Sequence, residues 1–281
     1  MSNEVKVFHD EQKKDYVYSH LVHRKPTLDA FSMHTHNLYE IIYFIKGDAS
    51  LIIEDKTYKL KKDDLLLIRP TEYHFIKIDS PLDYERYDIL FDPQKLKITN
   101  VSTVPENLEV INLETYPVIK DIFNRLDYYH SEFSESDFKD LFSMLLKELF
   151  YNLSVSDSPS VRDKTAPKNP NLSKMLKYLN DNIYTVKSVK ELADKFFVTE
   201  SYVFQLFKKE LKITPKKYIN DKRLLKAQSL ILSGVLPTNA YLTVGFNDYA
   251  AFYRAYVKFF GCAPSKEKIS HNNLKDRKVE I

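Results

Sequence analysis

The feature that most constrains this chain is a repeat towards its C-terminal end. Val203, Phe207 and Pro215 recur as Phe252, Tyr256 and Pro264, each 49 positions later, so one structural unit is present twice. The first copy is the clearer. Ser188 and Glu191 have the S-x-x-E spacing in which each side chain satisfies a free backbone N–H at a helix start. The short helix begun there carries Leu192 and Ala193, and a turn at 196–198 leads to Thr199, whose hydroxyl suits the cap of a second helix. That second helix has an apolar stripe at Val203, Leu206 and Phe207 with Tyr202 beside it, and an outer face of Ser201, Gln205, Lys208 and Lys209. Two short helices at an angle, the second offering polar and basic groups, make a helix-turn-helix that sets its second helix in a DNA major groove. A helical hairpin in some other core is the alternative, and the duplication argues against it.

Thr214-Pro215 then opens a long helix through Tyr218, Ile219, Leu224, Ala227 and Ile231 that ends at Gly234 and joins the two units. Gly245-Phe246-Asn247-Asp248 forms the second turn and cap, and the helix after it is expected to bury Phe252, Ala255, Tyr256 and Phe259. Two recognition helices on one side of a duplex would read successive major-groove faces about 34 Å apart. Charge agrees with this. Residues 171–281 hold 20 Lys and Arg against 10 Asp and Glu, whereas residues 1–170 hold 22 against 29. A basic C-terminal part and an acidic N-terminal part point to a polyanionic partner for the first alone. The single cysteine, Cys262, excludes an internal disulfide and fits a reducing compartment. The polar N-terminal stretch and the lack of a long apolar run give the expectation of a soluble, cytoplasmic protein with no membrane partner.

Residues 1–15 read as a mobile arm. From Tyr16 to Phe91 come short β-rich runs (YVYSHLV, LYEIIYFI, ASLIIE, DLLLI, HFIKI, YDILF) broken by turn signals at 46–48, 54–56 and 79–81. Many short strands without intervening helices mean a sandwich or barrel. Within them His34-Thr35-His36, Glu40 and Gly47 form H-x-H-x3-E-x6-G, and His74 follows Arg69-Pro70. This pattern resembles the two motifs of the cupin family over about 60 residues, with Asp63 standing where the second motif usually has Gly. The resemblance implies that His34, His36, Glu40 and His74 face one another inside the barrel. Three imidazoles and a carboxylate suit iron, manganese, zinc or nickel; the other reading is a pocket lining without metal. We assign the set as effector-binding, with no metal and no cofactor. Tyr43 joins them, and Tyr73, Tyr87 and Arg69 are further candidates to bond a polyol or sugar, since strand parity alone does not say which point inward.

Helical stripes follow at Ile119, Ile122, Phe123 and Leu126, and at Phe138, Leu141, Phe142, Leu145, Leu149 and Phe150. They are expected to pack on the barrel and also to pair with a second chain, giving a homodimer. Ser154 to Pro170 is rich in Ser, Pro and charge and reads as a linker.

The C-terminal part resembles the DNA-binding domain of AraC/XylS-type bacterial transcription regulators. The residues that carry the resemblance are Leu192-Ala193, Tyr202-Val203, Leu206-Phe207-Lys208-Lys209, Thr214-Pro215, Arg223-Leu224, Ala227, Gly245-Phe246-Asn247-Asp248, Phe252, Arg254, Gly261 and Pro264. Members commonly carry an N-terminal cupin-like barrel that binds a small effector, often a sugar, followed by dimerising helices. The chain is therefore expected to be α+β with two domains. An effector-binding barrel or jelly roll occupies 1–104, helices 105–153, a linker 154–170, an all-α domain with two helix-turn-helix units 171–270 and a tail 271–281. Three departures bear on the second domain: Phe197 where Gly is usual, Tyr241 where a small Ala is usual, and Val257 in place of Lys. Tyr241 should push two helices apart or slide one by a residue.

Helical spacing places Ser201, Phe204, Gln205 and Lys208 on the groove side, with Thr199 and Lys209 flanking them; the second unit offers Asn247, Tyr249, Tyr253, Arg254 and Lys258. The expected function is a non-enzymatic, sequence-specific DNA-binding regulator that senses a small molecule, a carbohydrate or related metabolite. Double-stranded DNA is the main partner and RNA polymerase a further candidate. A metal-dependent cupin enzyme fused to a DNA-binding domain is the competing hypothesis.

Overall fold

The computed structural model describes residues 4–13, 15–105, 108–155 and 169–267. The expected linker lies almost wholly, and the tail 271–281 entirely, outside the described residues. Among the described residues nine strands come first: β1 (Glu4–Gln12), β2 (Tyr16–Arg24), β3 (Tyr39–Lys46), β4 (Ala49–Ile53), β5 (Lys56–Lys59), β6 (Asp64–Ile68), β7 (His74–Ile78), β8 (Tyr84–Phe91) and β9 (Val110–Asn112). They form a six-stranded sheet in the order β1-β2-β8-β3-β6-β9 and a three-stranded sheet β5-β4-β7. Period-2 alternation sends one set of side chains between the sheets and the other set outward. Ile42, Phe44, Leu66, Ile68 and Tyr84 from the large sheet meet Leu51, Ile53, Tyr58, Ile76 and Ile78 from the small one. The expected arm is not free: β1 pairs antiparallel with β2 from Glu4↔Arg24 to Gln12↔Val17, so the first residues extend the large sheet.

The outward face of the large sheet is covered by α1 (Pro117–Glu132) and α2 (Glu135–Val155). Ile119, Ile122, Phe123 and Leu126 with Phe138, Phe142, Leu145, Leu149 and Phe150 are buried against Tyr18, Ile41, Tyr43, Leu65, Tyr87 and Phe91. The wide stripe of α2 is thus satisfied within the chain. Asp127 on α1 ties helix to sheet by accepting from Tyr18 Oη at 2.5 Å and Tyr87 Oη at 2.6 Å.

The second domain comprises α3 (Pro170–Asn182), α4 (Val189–Lys195), α5 (Glu200–Leu211), α6 (Pro215–Leu232), α7 (Pro237–Thr243) and α8 (Tyr249–Phe260). The sequence-based caps are in place. Ser188 Oγ accepts from Glu191 N at 3.1 Å, Thr199 Oγ1 from Tyr202 N at 3.2 Å, Thr214 Oγ1 from Lys217 N at 3.1 Å and Asp248 Oδ2 from Ala251 N at 2.7 Å. Glu191 reaches back one residue further than a capping box requires, to Lys187 N at 2.8 Å. α4 and α5 form the first helix-turn-helix, α7 and α8 the second.

The three departures resolve differently. Phe197 keeps the left-handed turn that Gly would adopt, at φ 55°, and is 97% exposed; the turn survives at a steric cost to its β-carbon. At the second crossing the buried small residue is Ala240, one position before Tyr241. Phe246 N donates to Tyr241 O at 3.0 Å as Val198 N does to Ala193 O, so the turn keeps the register of the first unit with Tyr241 in the place of Ala193, and the Tyr241 ring lies half-buried, edge-on to Tyr249 at 5.4 Å. Val257 is half-buried. In α8, Phe260 takes the fully buried place expected of Phe259.

Two stability outcomes follow. Gly245 sits at φ 83°, and a β-carbon there would meet Tyr184 O at 2.2 Å. Gly245→Ala should therefore destabilise by roughly 2–4 kcal/mol in chemical unfolding, and a change below about 1 kcal/mol would contradict the packing described. Phe197→Gly relieves the left-handed strain while losing no burial, and should stabilise by roughly 0.5–1 kcal/mol after the extra chain entropy of glycine; destabilisation would mean the exposed ring is packed in solution.

Candidate DNA-binding face and effector site

In the second domain one side chain ties the two helix-turn-helix units together. Arg223, buried on α6, donates from Nε to Ile183 O at 2.8 Å, from Nη1 to Gly245 O at 2.8 Å and from Nη2 to Val186 O at 2.5 Å. The first two carbonyls it joins belong to the lead-in to the first unit and to the turn of the second. A planar guanidinium with its donors in a fixed fork is the side chain that can do this.

On α5, Val203, Leu206, Phe207 and Leu211 face inward, and Ser201, Phe204, Gln205, Lys208 and Lys209 are exposed. Thr199 is exposed, with its hydroxyl engaged in the cap. On α8, Tyr253, Arg254 and Lys258 are exposed, as is Asn247 before it; Tyr249 is half-buried against Tyr241 and Phe252. Phe204 and Tyr253 are 47% and 42% exposed.

In the barrel, His34, His36, Glu40 and His74 come together with one ligand atom each within 4.8 Å of the others. β3 carries Glu40, β7 opens with His74, and His34 pairs with His74 through backbone bonds of 3.1 and 2.9 Å. Each imidazole Nδ1 lies 2.9 Å from a carbonyl two residues away: His34 from Ser32 O, His36 from Leu38 O, His74 from Glu72 O. A carbonyl only accepts, so each Nδ1 carries a proton, and Nε2 is the ring nitrogen left to face the cluster. His36 Nε2 and His74 Nε2 lie 2.7 and 2.9 Å from Glu40 Oε2. Burial would raise the Glu40 carboxyl, but His74 and His36 together hold it well below its usual range. Three imidazoles with oriented Nδ1–H groups and one ionised carboxylate fit a divalent ion, since tying the remote ring nitrogen to a carbonyl is how metal-ligating histidines are oriented. A bound ion would polarise an oxygen ligand on the exposed His34 side.

Tyr43, by contrast, is not part of this site. It lies an odd number of residues from Glu40 on β3, so it faces the helices, packs on Phe123 at 4.5 Å and donates to Asp63 at 2.8 Å. Tyr87 shares that outer face. Arg69 donates to Pro105 O and Leu108 O. The inward residues that the sequence reading missed are on β8 and β2. Register sets Tyr84 opposite His23, Arg86 opposite Leu21 and Asp88 opposite Ser19, and Tyr84, Arg86, Asp88 and His23 are all buried. Arg86 Nε and Nη2 donate to Asp88 Oδ2 at 3.1 and 3.0 Å. Burial and the neighbouring Glu40 carboxylate push Asp88 up to about 7, and burial then Arg86 bring His23 down to about 4. Among the described residues, Arg86 Nη1, Tyr84 Oη, His23 Nε2 and Asp88 Oδ1 have no hydrogen-bond partner, at a cost of about 1–3 kcal/mol each. The signal was the alternation Tyr84-x-Arg86-x-Asp88, visible once the strand is started at Tyr84 rather than Tyr87.

The barrel mouth abuts the second domain. Tyr73 donates to Asp221 at 2.5 Å and stacks on Tyr218 at 5.2 Å. Glu54 accepts from Lys222 at 2.6 Å and Tyr218 at 2.8 Å through Oε1, and from Asn180 at 3.2 Å through Oε2. Asn37 donates to Leu225 O at 3.1 Å, and Met33 packs against the core formed by α3 to α6.

Comparison with known proteins accords with this arrangement. Residues 17–153 match the AraC-like ligand binding domain, and residues 192–268 match a helix-turn-helix domain. The uncharacterised HTH-type transcriptional regulator YdiP of Escherichia coli K12 is 25% identical over 251 residues, covering 85% of this chain and 82% of that protein. The transcriptional activator RhaR of the same organism is 22% identical over 253 residues, covering 85% and 87%. A solved structure from Listeria innocua, of unknown function, is 28% identical over 36% of this chain and 96% of its own, with a TM-score of 0.34. No described helix is long and apolar enough to cross a membrane. With its ligand-binding domain and its helix-turn-helix domain in that order, the chain belongs to the AraC/XylS family of DNA-binding transcription regulators.

Proposed function

We propose that the four-residue cluster in the barrel is the effector site and that its occupant sets how firmly the barrel mouth is docked on α6. The observation that carries this reading is a matter of sequence neighbours. His34, His36 and His74 are flanked by Met33, Asn37 and Tyr73, and each flanking residue is seated on the DNA-binding domain. A shift in the ring positions at the cluster is passed to α6 through one peptide unit. An occupant acts only through its different affinity for docked and undocked forms.

At the DNA, Gln205 pairs with an adenine edge and Phe204 touches a thymine methyl, whereas Arg254 meets a guanine or a phosphate. Lys208, Lys209 and Lys258 neutralise phosphates, and Thr199, Ser201, Asn247, Tyr249 and Tyr253 flank them. The active form is a homodimer, supported by Met144, Tyr151 and Val155, which are exposed and lie along one face of α2.

Two measurements test this. Gln205→Ala should cost about 1–3 kcal/mol at a single base pair of the operator and relax selectivity there; equal weakening on operator and random DNA would remove the base-reading role. Tyr73→Phe deletes a buried bond to a carboxylate, worth about 1.5–3 kcal/mol, far from the groove-facing residues. It should change DNA affinity several-fold in fluorescence anisotropy, and an unchanged affinity would show that docking and DNA binding are independent.

A further inference from the structure

The outer face of the large sheet carries a cluster of ionisable groups that neither the effector site nor the DNA-binding domain uses. Its centre is His20 on β2, 8% exposed. His20 Nδ1 lies 3.0 Å from Asp127 Oδ2 on α1, and its Nε2 lies 3.1 Å from Glu85 Oε1 on β8. The ring is clamped between Tyr87 at 3.9 Å and Phe8 at 4.6 Å, both stacked on it. Phe8 reaches it because the register of β1 against β2 shifts between Val7 and His9, and a bulge of this kind re-aims a side chain. One imidazole thus joins β1, β8 and α1 to β2.

A neutral imidazole has one N–H donor and one bare nitrogen, an imidazolium has two donors, and an ionised carboxylate only accepts. Burial would raise the Asp127 carboxyl, but His20, Tyr18 and Tyr87 together hold it below its usual range; Glu85 is paired with Lys46 of β3 at 3.1 Å. With an acceptor on each side, both His20 contacts are made together only when both ring nitrogens carry protons. Loss of one proton leaves a lone pair against a carboxylate oxygen. From this geometry we propose that His20 is a pH-operated pin that fastens β1 and α1 to the large sheet when protonated and loosens them when it is not. The contribution is therefore present at the acid end of the imidazole range, about pH 5 to 8, and lost as pH rises through it.

The other charged and titratable groups around the pin are Lys6 and His9 on β1, Tyr18 beside it on β2 and His130 on α1. Burial pushes the Tyr18 and Tyr87 phenols up, so they stay donors to Asp127. Lys6 Nζ sits 4.4 Å over the Phe8 ring. His130 Nε2 faces Glu11 of β1 at 3.4 Å and acts in the same sense as His20, from a separate pair. His9 acts in the opposite sense. Burial, with His130 and His20, holds it below its usual range against the pull of Asp127, so it charges at lower pH and its contribution is lost as pH falls.

The test follows hydrogen exchange of β1 and α1 in the purified full chain between pH 6 and pH 8, corrected for intrinsic exchange, with the ring-nitrogen resonances of His20 read in the histidine-labelled chain. Protection of both elements should fall about fivefold or more over that interval, and both His20 nitrogens should be protonated at pH 6. His20→Gln cannot titrate and should flatten the fall, whereas His130→Gln should keep most of it. Glu85→Gln leaves the imidazole in place and offers a donor to a bare ring nitrogen, so it too should flatten the fall. Unchanged protection across the interval, a fall that persists in Glu85→Gln or in a folded His20→Gln, or a singly protonated His20 at pH 6 would each overturn the pin.

Discussion

The second domain depends on Arg223. Its guanidinium bridges the carbonyls of Ile183, Val186 and Gly245, and so fixes the turn of the second helix-turn-helix against the entry to the first. Such charge-assisted bonds in a buried place are about twice as strong as neutral ones. Leaving the carbonyls bare would cost more than the bonds return. The close approach of Gly245 to Tyr184 O belongs to the same knot, because only a residue without a β-carbon lets the second turn come near enough for Arg223 to reach it. The two recognition helices are thereby parts of one body rather than beads on a long helix. Tyr241 does not undo this, since its ring lies half-buried against Tyr249 and Phe252.

The same helix that carries Arg223 also meets the barrel. Tyr218, Asp221 and Lys222, shortly before it, take the contacts from Tyr73 and Glu54, so α6 is both the spacer between the two helix-turn-helix units and the surface on which the barrel rests. Few geometries couple two sites more directly. His74 is bonded to Tyr73 through one peptide, and Glu54 N donates to Tyr73 O at 2.7 Å, which ties together the two barrel loops that touch α6. On the proposed function, a change in the barrel that moves either loop is passed to the domain that holds both helix-turn-helix units.

How much of this was legible depended on the period of the signal. The caps at Ser188, Thr199, Thr214 and Asp248 and the apolar stripes of the helices are local patterns, and each stands where the sequence places it except in α8, where Phe260 is buried in place of Phe259 and Ala255 is half-buried. The H-x-H-x3-E spacing gave the cluster because its members sit on adjacent, short-connected segments. What the sequence did not disclose is what depends on register between distant strands. Tyr43 and Tyr87 share the parity that faces the helices, and that is decided by which face of the large sheet α1 and α2 cover. Arg86 and His23 are neighbours through β2–β8 pairing across some 60 residues. The N-terminal residues are polar enough to read as an arm, yet edge-strand pairing needs backbone more than apolar side chains, and β1 adds to the sheet on that basis. Docking of Tyr73 on α6 is a contact between domains and leaves no periodic trace in either.

The claim that both helix-turn-helix units act as one rigid reader is tested most directly by a footprint on the DNA flanking this protein's own gene, taken at two salt concentrations. Phosphate neutralisation by the basic domain should make affinity fall steeply with salt. The account predicts protection of two adjacent major-groove faces for each protomer, gained and lost together as salt is raised. Protection of a single face, or two faces that are released at different salt concentrations, would contradict it.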